Sequence, residues 1–179
     1  MDSPVVAVFG SSEVGPADPE YAEGVRLGRL LAKAGFTMVT GGYAGVMEAV
    51  SEGAAEHGAE VLGVTAPPVF PGRSGANRHV TQEIPAASLG ERIHHLIDLP
   101  DAYVVLPGSI GTLTELMVAW NVAFVTQFSD REPKPIVAVG EQWSELVPLL
   151  TERLETDASY VVCVSDVKAA AAFITEALR

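Results

Sequence analysis

A chain of 179 residues, about half of them apolar, is long enough to bury one core of ordinary domain size, which excludes a disordered segment. Twenty-three acids against eleven bases leave a net charge of −12, a field that repels phosphate backbones and anionic bilayers, so neither nucleic acid nor membrane is an expected partner. The lone Cys163 excludes an internal disulfide, and MDSPVVAVFGSS lacks the basic and long apolar regions of a secretory signal, so a cytoplasmic location is expected.

VVAVFG over 5–10 is a continuous apolar, β-branched run closed by glycine, the pattern of a strand buried on both faces. A helix is predicted from Pro19 to Ala34, with Val25, Leu27, Leu30 and Leu31 on its inner face and Gly35 as its stop. FTMVT over 36–40 is the second strand, GGYAG leads into a helix over 45–57, and EVLGVT over 60–65 is the third strand. The stretch 66–87 holds four prolines and two glycines without a period and reads as a long loop of the functional kind. SLGERIHHLIDL over 88–99 is a helix whose Ser88 and Glu91 have capping-box spacing. AYVVLP over 102–107 makes the fourth strand, GSIG a turn, and 112–127 a helix. KPIVAV over 134–139, a helix over 141–153, YVVCV over 160–164 and a helix over 166–178 complete the series.

This alternation predicts an α/β fold, a Rossmann-like doubly wound parallel sheet with helices on both faces, formed as a single domain over 1–179. Such sheets bind ligands beyond the carboxyl ends of their strands. Three of those ends carry small or hydroxylated residues: Gly10-Ser11-Ser12, Thr40-Gly41-Gly42 and the run from Pro107 to Thr112. Any one of them alone reads as a tight turn. Three at one edge point to a phosphate site, because glycine lets backbone approach an anion and the next helix offers free N–H groups. The candidate binding residues are therefore Gly10, Ser11, Gly41, Gly42, Gly108, Ser109, Ile110, Gly111 and Thr112.

GxxxxGK[ST] is absent, and so is GxGxxG after the first strand, which argues against a P-loop enzyme and an ordinary NAD site. His94 and His95 are adjacent while His57 and His79 lie far away, so no metal ligand set is expected, and no cofactor either.

PGSIGTLTE over 107–115 resembles the PGGxGTxxE signature of the Lonely Guy (LOG) proteins, cytokinin-activating nucleoside 5′-monophosphate phosphoribohydrolases, with Ser109 replacing the second glycine. VFGSS over 8–12, the stretch 27–54 with its TGGYAGVMEA, and EVLGVT resemble the family's first half, and Arg92 stands fifteen residues before Pro107, as the family's active-site arginine does. The resemblance spans roughly residues 5–140. It implies hydrolysis of the N-glycosidic bond of a purine nucleoside 5′-monophosphate, with Arg92 and Glu115 catalytic, a small phosphorylated nucleotide as ligand, and a homodimer. Members are often labelled lysine decarboxylases, but Lys33, Lys134 and Lys168 all lie away from the glycine-rich turns where a pyridoxal aldimine would be needed.

On this reading the amides from Gly108 to Thr112 and the Thr112 hydroxyl hold the 5′-phosphate, while Glu115 stabilises the oxocarbenium-like sugar and orients water. On spacing alone, Thr112-Leu113-Thr114-Glu115 reads as a capping box and Arg92 as a solvated helix residue. Glu48 reads equally as a ligand contact or a helix-dipole partner. Arg73, Asn77 and Arg78 either close over the ligand or face solvent or a second subunit, the latter being expected of Arg73. Ser109 departs from the family signature where backbone is expected to approach the phosphate, while Ile93 and Thr114 depart from plant-type members and bear on which nucleotide is taken. The alternative function is a non-catalytic binder like the molybdenum cofactor carriers, which share the fold and its glycine-rich turns. A third, a pure interaction domain, rests on the helix over 112–127, apolar nearly all round with Trp120, Val122, Phe124 and Val125.

Overall fold

The computed structural model describes residues 3–179. Seven strands form one sheet: β1 (Val5–Phe9), β2 (Thr37–Thr40), β3 (Val61–Thr65), β4 (Gln82–Pro85), β5 (Ala102–Val105), β6 (Ile136–Val139) and β7 (Val161–Val164). Their spatial order is β4-β3-β2-β1-β5-β6-β7 and every pairing is parallel, the doubly wound Rossmann-like arrangement. Six helices connect them: α1 (Pro19–Lys33), α2 (Val46–Ala55), α3 (Leu89–Asp98), α4 (Ile110–Val125), α5 (Glu141–Leu154) and α6 (Val167–Ala177).

The alternation of strand side chains sorts the core into two layers. Val6, Val8, Met38, Val61, Val104 and Val137 meet Leu27 and Leu31 of α1, Val50 of α2 and Ile174 of α6. Ala7, Phe9, Val39, Tyr103, Val105 and Ile136 meet Leu96 of α3, Leu116 and Trp120 of α4, and Trp143 of α5. Apolar residues on both faces of β1, β2 and β5 are what a parallel strand covered on two sides requires.

Gly35, at φ +90, ends α1 in a Schellman motif: its amide donates to Ala32 O and the Phe36 amide to Leu31 O. Helices α1 and α2 approach so closely that a Cβ on Gly28 would land on Val50 O, and one on Gly53 on Val25 O.

Two elements differ from the sequence reading. The 66–87 stretch contains β4, four mostly exposed residues at the sheet edge ending in Pro85, too short and too polar to show a period, and an edge position tolerates the proline. Helix α4 begins at Ile110 rather than 112, because extended Ser109 is its N-cap and Ile110 and Gly111 form its first turn. Strand order reverses at β1, with β2 on one side and β5 on the other. The crevice beyond the carboxyl ends of β1 and β5 is where such a sheet leaves room for a ligand.

Candidate functional site

Ser88 starts α3, its hydroxyl accepting from the Glu91 amide at 3.1 Å while Glu91 reaches back to the Ala87 amide at 2.8 Å. One turn in, Arg92 falls on the helix's inner face above Leu96, and only 7% of it is exposed. A guanidinium that deep is costly unless its donors are met. Arg92 Nε donates to Val64 O at 2.9 Å and Nη2 to Gly41 O at 3.0 Å, both carbonyls at strand ends. Gly41 has no side chain because there is no space for one: a Cβ would fall on Arg92 Nη2 and lie 2.6 Å from Met47 Sδ.

The third face of Arg92 points at α4, where Nη1 lies 3.6 Å from Glu115 Oε1. With Ser109 as N-cap, Thr112 is the third helical residue and Glu115 the sixth, so the carboxylate is out of reach of the cap amide and the capping-box reading gives way. Burial pushes the Glu115 carboxyl up to about 7, against the attraction of Arg92. Burial likewise lowers the Arg92 guanidinium, opposed by Glu115.

Both side chains line a cleft of about 180 Å³ together with Gly10, Gly41, Ser109, Gly111 and Thr112. Among the described residues, no hydrogen-bond acceptor meets the amides of Ile110, Gly111 or Thr112. Ser109 has φ −101, a conformation any residue adopts, and its hydroxyl caps nothing, so the serine sits without strain beside the opening.

The other candidates are engaged elsewhere. The Gly108 amide donates to Gln142 Oε1 at 3.1 Å, and its carbonyl accepts from Gln142 Nε2 at 2.7 Å. Ser11 donates its amide to Pro107 O at 3.1 Å and its carbonyl accepts from the Val46 amide at 2.8 Å, which ties the β1 turn to β5 and α2 and leaves Ser12 as the serine of that turn on the cleft. Gly42, at φ +77, packs on Gly63 and holds Asn77 through its carbonyl. The Ile110 side chain is 76% exposed and faces a separate apolar groove.

The lining also takes in Val8, Phe9, Ser12, Met47 and Phe70, which were not among the candidate site residues, and Arg73, for which closure over the ligand was the less expected of two readings. Arg73 is exposed, as expected, but stands over the rings of Tyr43 and Phe70 at the cleft rather than away from it. Nothing in the aperiodic 66–87 stretch marks which of its residues turn inward. Asn77 clamps the Gly42 and Tyr43 carbonyls, Arg78 meets His79, and Glu48 lies in the first turn of α2 outside the cleft. Lys134 donates to the carbonyls of Ile97 and Asp98 at the end of α3. The described residues contain no group of three or more His, Cys, Asp or Glu placed to hold a metal, and no helix long and apolar enough to cross a membrane.

Residues 3–166 match the SLOG cluster4 family. The chain belongs to that family. This SLOG chain is 34% identical over 128 residues to the cytokinin riboside 5′-monophosphate phosphoribohydrolase of Mycobacterium tuberculosis, covering 69% of its own length and 66% of the relative's. To the protein of that name from Mycobacterium marinum it is 32% identical over 122 residues, covering 67% and 64%. The SLOG chain thus spans slightly under two thirds of the mycobacterial relatives it matches. Its fold also matches the molybdenum cofactor carrier protein of Chlamydomonas reinhardtii, with a TM-score of 0.80 and 25% identity over 99% of both chains. The LOG resemblance read at residues 107–115 agrees with these relatives.

Proposed function

We propose that this chain hydrolyses the N-glycosidic bond of a purine nucleoside 5′-monophosphate, releasing the base and ribose 5-phosphate. The observation that carries the proposal is the meeting of Arg92 and Glu115, 3.6 Å apart, beside three unpartnered helix-start amides. The names of the mycobacterial relatives support the same reaction.

In the proposed reaction the phosphate lies on the amides of Ile110, Gly111 and Thr112, a placement worth about 0.3–1 kcal/mol and up to about 2 when partly buried. Gly108 contributes through its close approach to Thr112 rather than through its amide, which Gln142 holds. As the C1′–N bond lengthens, positive charge develops on the sugar and the Glu115 carboxylate faces it. Glu115 takes a proton from water as the water oxygen bonds to C1′, and the base leaves with the bonding electron pair and is protonated from solvent, Glu115 returning its proton to solvent before the next turnover. A carboxyl near 7 is basic enough for that transfer at neutral pH. Arg92 orients the carboxylate from the side.

Ligand pockets that enclose a whole small molecule run from about 300 Å³ upward. A cleft of about 180 Å³ fits the ribose phosphate and leaves the base at the mouth, near the 66–81 stretch or a second subunit. Incubation with a panel of purine monophosphates, prenylated ones included, is expected to release ribose 5-phosphate. Glu115→Gln is expected to reduce the rate by about 10²–10⁴-fold. No release from any monophosphate ends the proposal.

The second reading, a phosphorylated-cofactor carrier, is favoured by the full-length match to the Chlamydomonas carrier, where the mycobacterial matches cover about two thirds. A pterin co-purifying with the protein and retained by Glu115→Gln would select it. We also infer a cytoplasmic homodimer that buries the outer side of α4.

A further inference from the structure

In a chain of net charge −12, the cleft of the proposed active site is lined by two arginines and one carboxylate. The two cations are not equivalent. Arg92 is spent on Val64 O, Gly41 O and Glu115. The Arg73 guanidinium, by contrast, has no hydrogen bond and no carboxylate partner among the described residues, and its close neighbours are the Tyr43 and Phe70 rings at 4.6 and 4.7 Å.

Those rings form a fixed platform. They meet edge to face at 5.6 Å, the Tyr43 hydroxyl accepts from the Ala66 amide at 2.8 Å, and the amides of Phe70 and Arg73 close successive turns onto Ala66 O and Phe70 O, both at 3.0 Å. Stacking holds the guanidinium while leaving five N–H donors open, a fork suited to two oxygens of one phosphate. Arg92 approaches the same two rings at 5.7 and 5.8 Å, so two like charges share one aromatic pair. Arg73 repels Arg92, whose own countercharge is Glu115, and an anion bound at Arg73 would offset that repulsion.

We propose that Arg73 is the side chain that receives the phosphate of the bound nucleotide, Arg92 serving to hold Glu115. The assignment rests on the reading of the cleft as a phosphate-bearing nucleotide site, and adds to it a phosphate-binding residue on the long loop.

The test is calorimetric titration of ribose 5-phosphate, inorganic phosphate and unphosphorylated ribose into wild type, Arg73→Gln and Arg73→Lys. Alongside it, KM and kcat are measured on whichever monophosphate is turned over. Arg73→Gln is expected to weaken both phosphates by roughly 10–100-fold without changing ribose binding, and to raise KM by more than it lowers kcat. Arg73→Lys, which keeps the charge and loses the fork, is expected to recover part of the affinity. Melting of the variants near the wild-type temperature excludes unfolding as the cause. Equal phosphate affinity in wild type and Arg73→Gln overturns the assignment, as does a wild type that binds neither phosphate. Arg73-dependent binding without hydrolysis leaves the assignment standing and removes the hydrolase; hydrolysis with a KM indifferent to Arg73 does the reverse.

Discussion

Glu115 is the residue whose environment has the widest consequences. If its ionised form is the one that works, kcat/KM rises with pH through about 7, where an ordinary glutamate would have placed the limb more than two units lower. The same shift acts on stability with the opposite sense. Because the folded carboxyl keeps its proton up to about pH 7 and the unfolded one loses it in the usual carboxylate range, folding becomes less favourable as pH rises across that window. Glu115→Gln removes this term, so melting curves from pH 5 to 8 are expected to show the variant gaining on the wild type by on the order of 3 kcal/mol at most. Gly41→Ala tests Arg92 from the other side. The new methyl occupies the guanidinium's place, and a loss of about 1–3 kcal/mol is expected together with loss of hydrolysis. The motif was legible in PGSIGTLTE; the ionisation of its glutamate was not, because burial in the folded chain sets it.

At the scale of elements, the α1–α2 contact decides between two opposing effects. Alanine at Gly28 or Gly53 gains about 1 kcal/mol in helix propensity. Each Cβ, however, would strike backbone of the neighbouring helix, which cannot rotate away as a side chain can. Overpacking of about 1–3 kcal/mol wins, and thermal melting is expected to fall by roughly 2–6 °C in either variant. All six helices and six of the seven strands follow from apolar periodicity with ends shifted by at most two residues. Helix α4 starts two residues early because its cap is Ser109, a residue that the family resemblance presents as a missing glycine. The seventh strand, β4, is held by its ladder to β3 from Leu62–Gln82 to Thr65–Pro85, a non-local pairing that no local pattern reveals.

For the molecule as a whole, the unfinished surface is the outer side of α4 and the turn after it. Ile110, Val122, Val125 and Phe128 are exposed at 76, 42, 47 and 77%, next to a groove that also takes in Leu113, Met117 and Leu154. Scattered exposed apolar residues are ordinary, but a set gathered along one helix is the face on which the proposed homodimer would meet. Sedimentation at micromolar concentration is expected to show a dimer, and Val122→Glu to shift it toward monomer. A wild type that stays monomeric contradicts the inference.

From the sequence alone come the layered architecture, the glycine-rich edge and the family, because each is written in neighbouring residues: a two-residue or 3.6-residue period, or a run such as PGSIGTLTE. The family resemblance placed Arg92 and Glu115 in one site; tertiary structure alone decided that they approach to 3.6 Å, that Gln142 takes the Gly108 amide, and that Arg73 turns into the cleft rather than away. Those outcomes depend on how the crossovers of a parallel sheet bring α3, α4, α5 and the 66–81 loop to one edge, and distance through space is not encoded in distance along the chain.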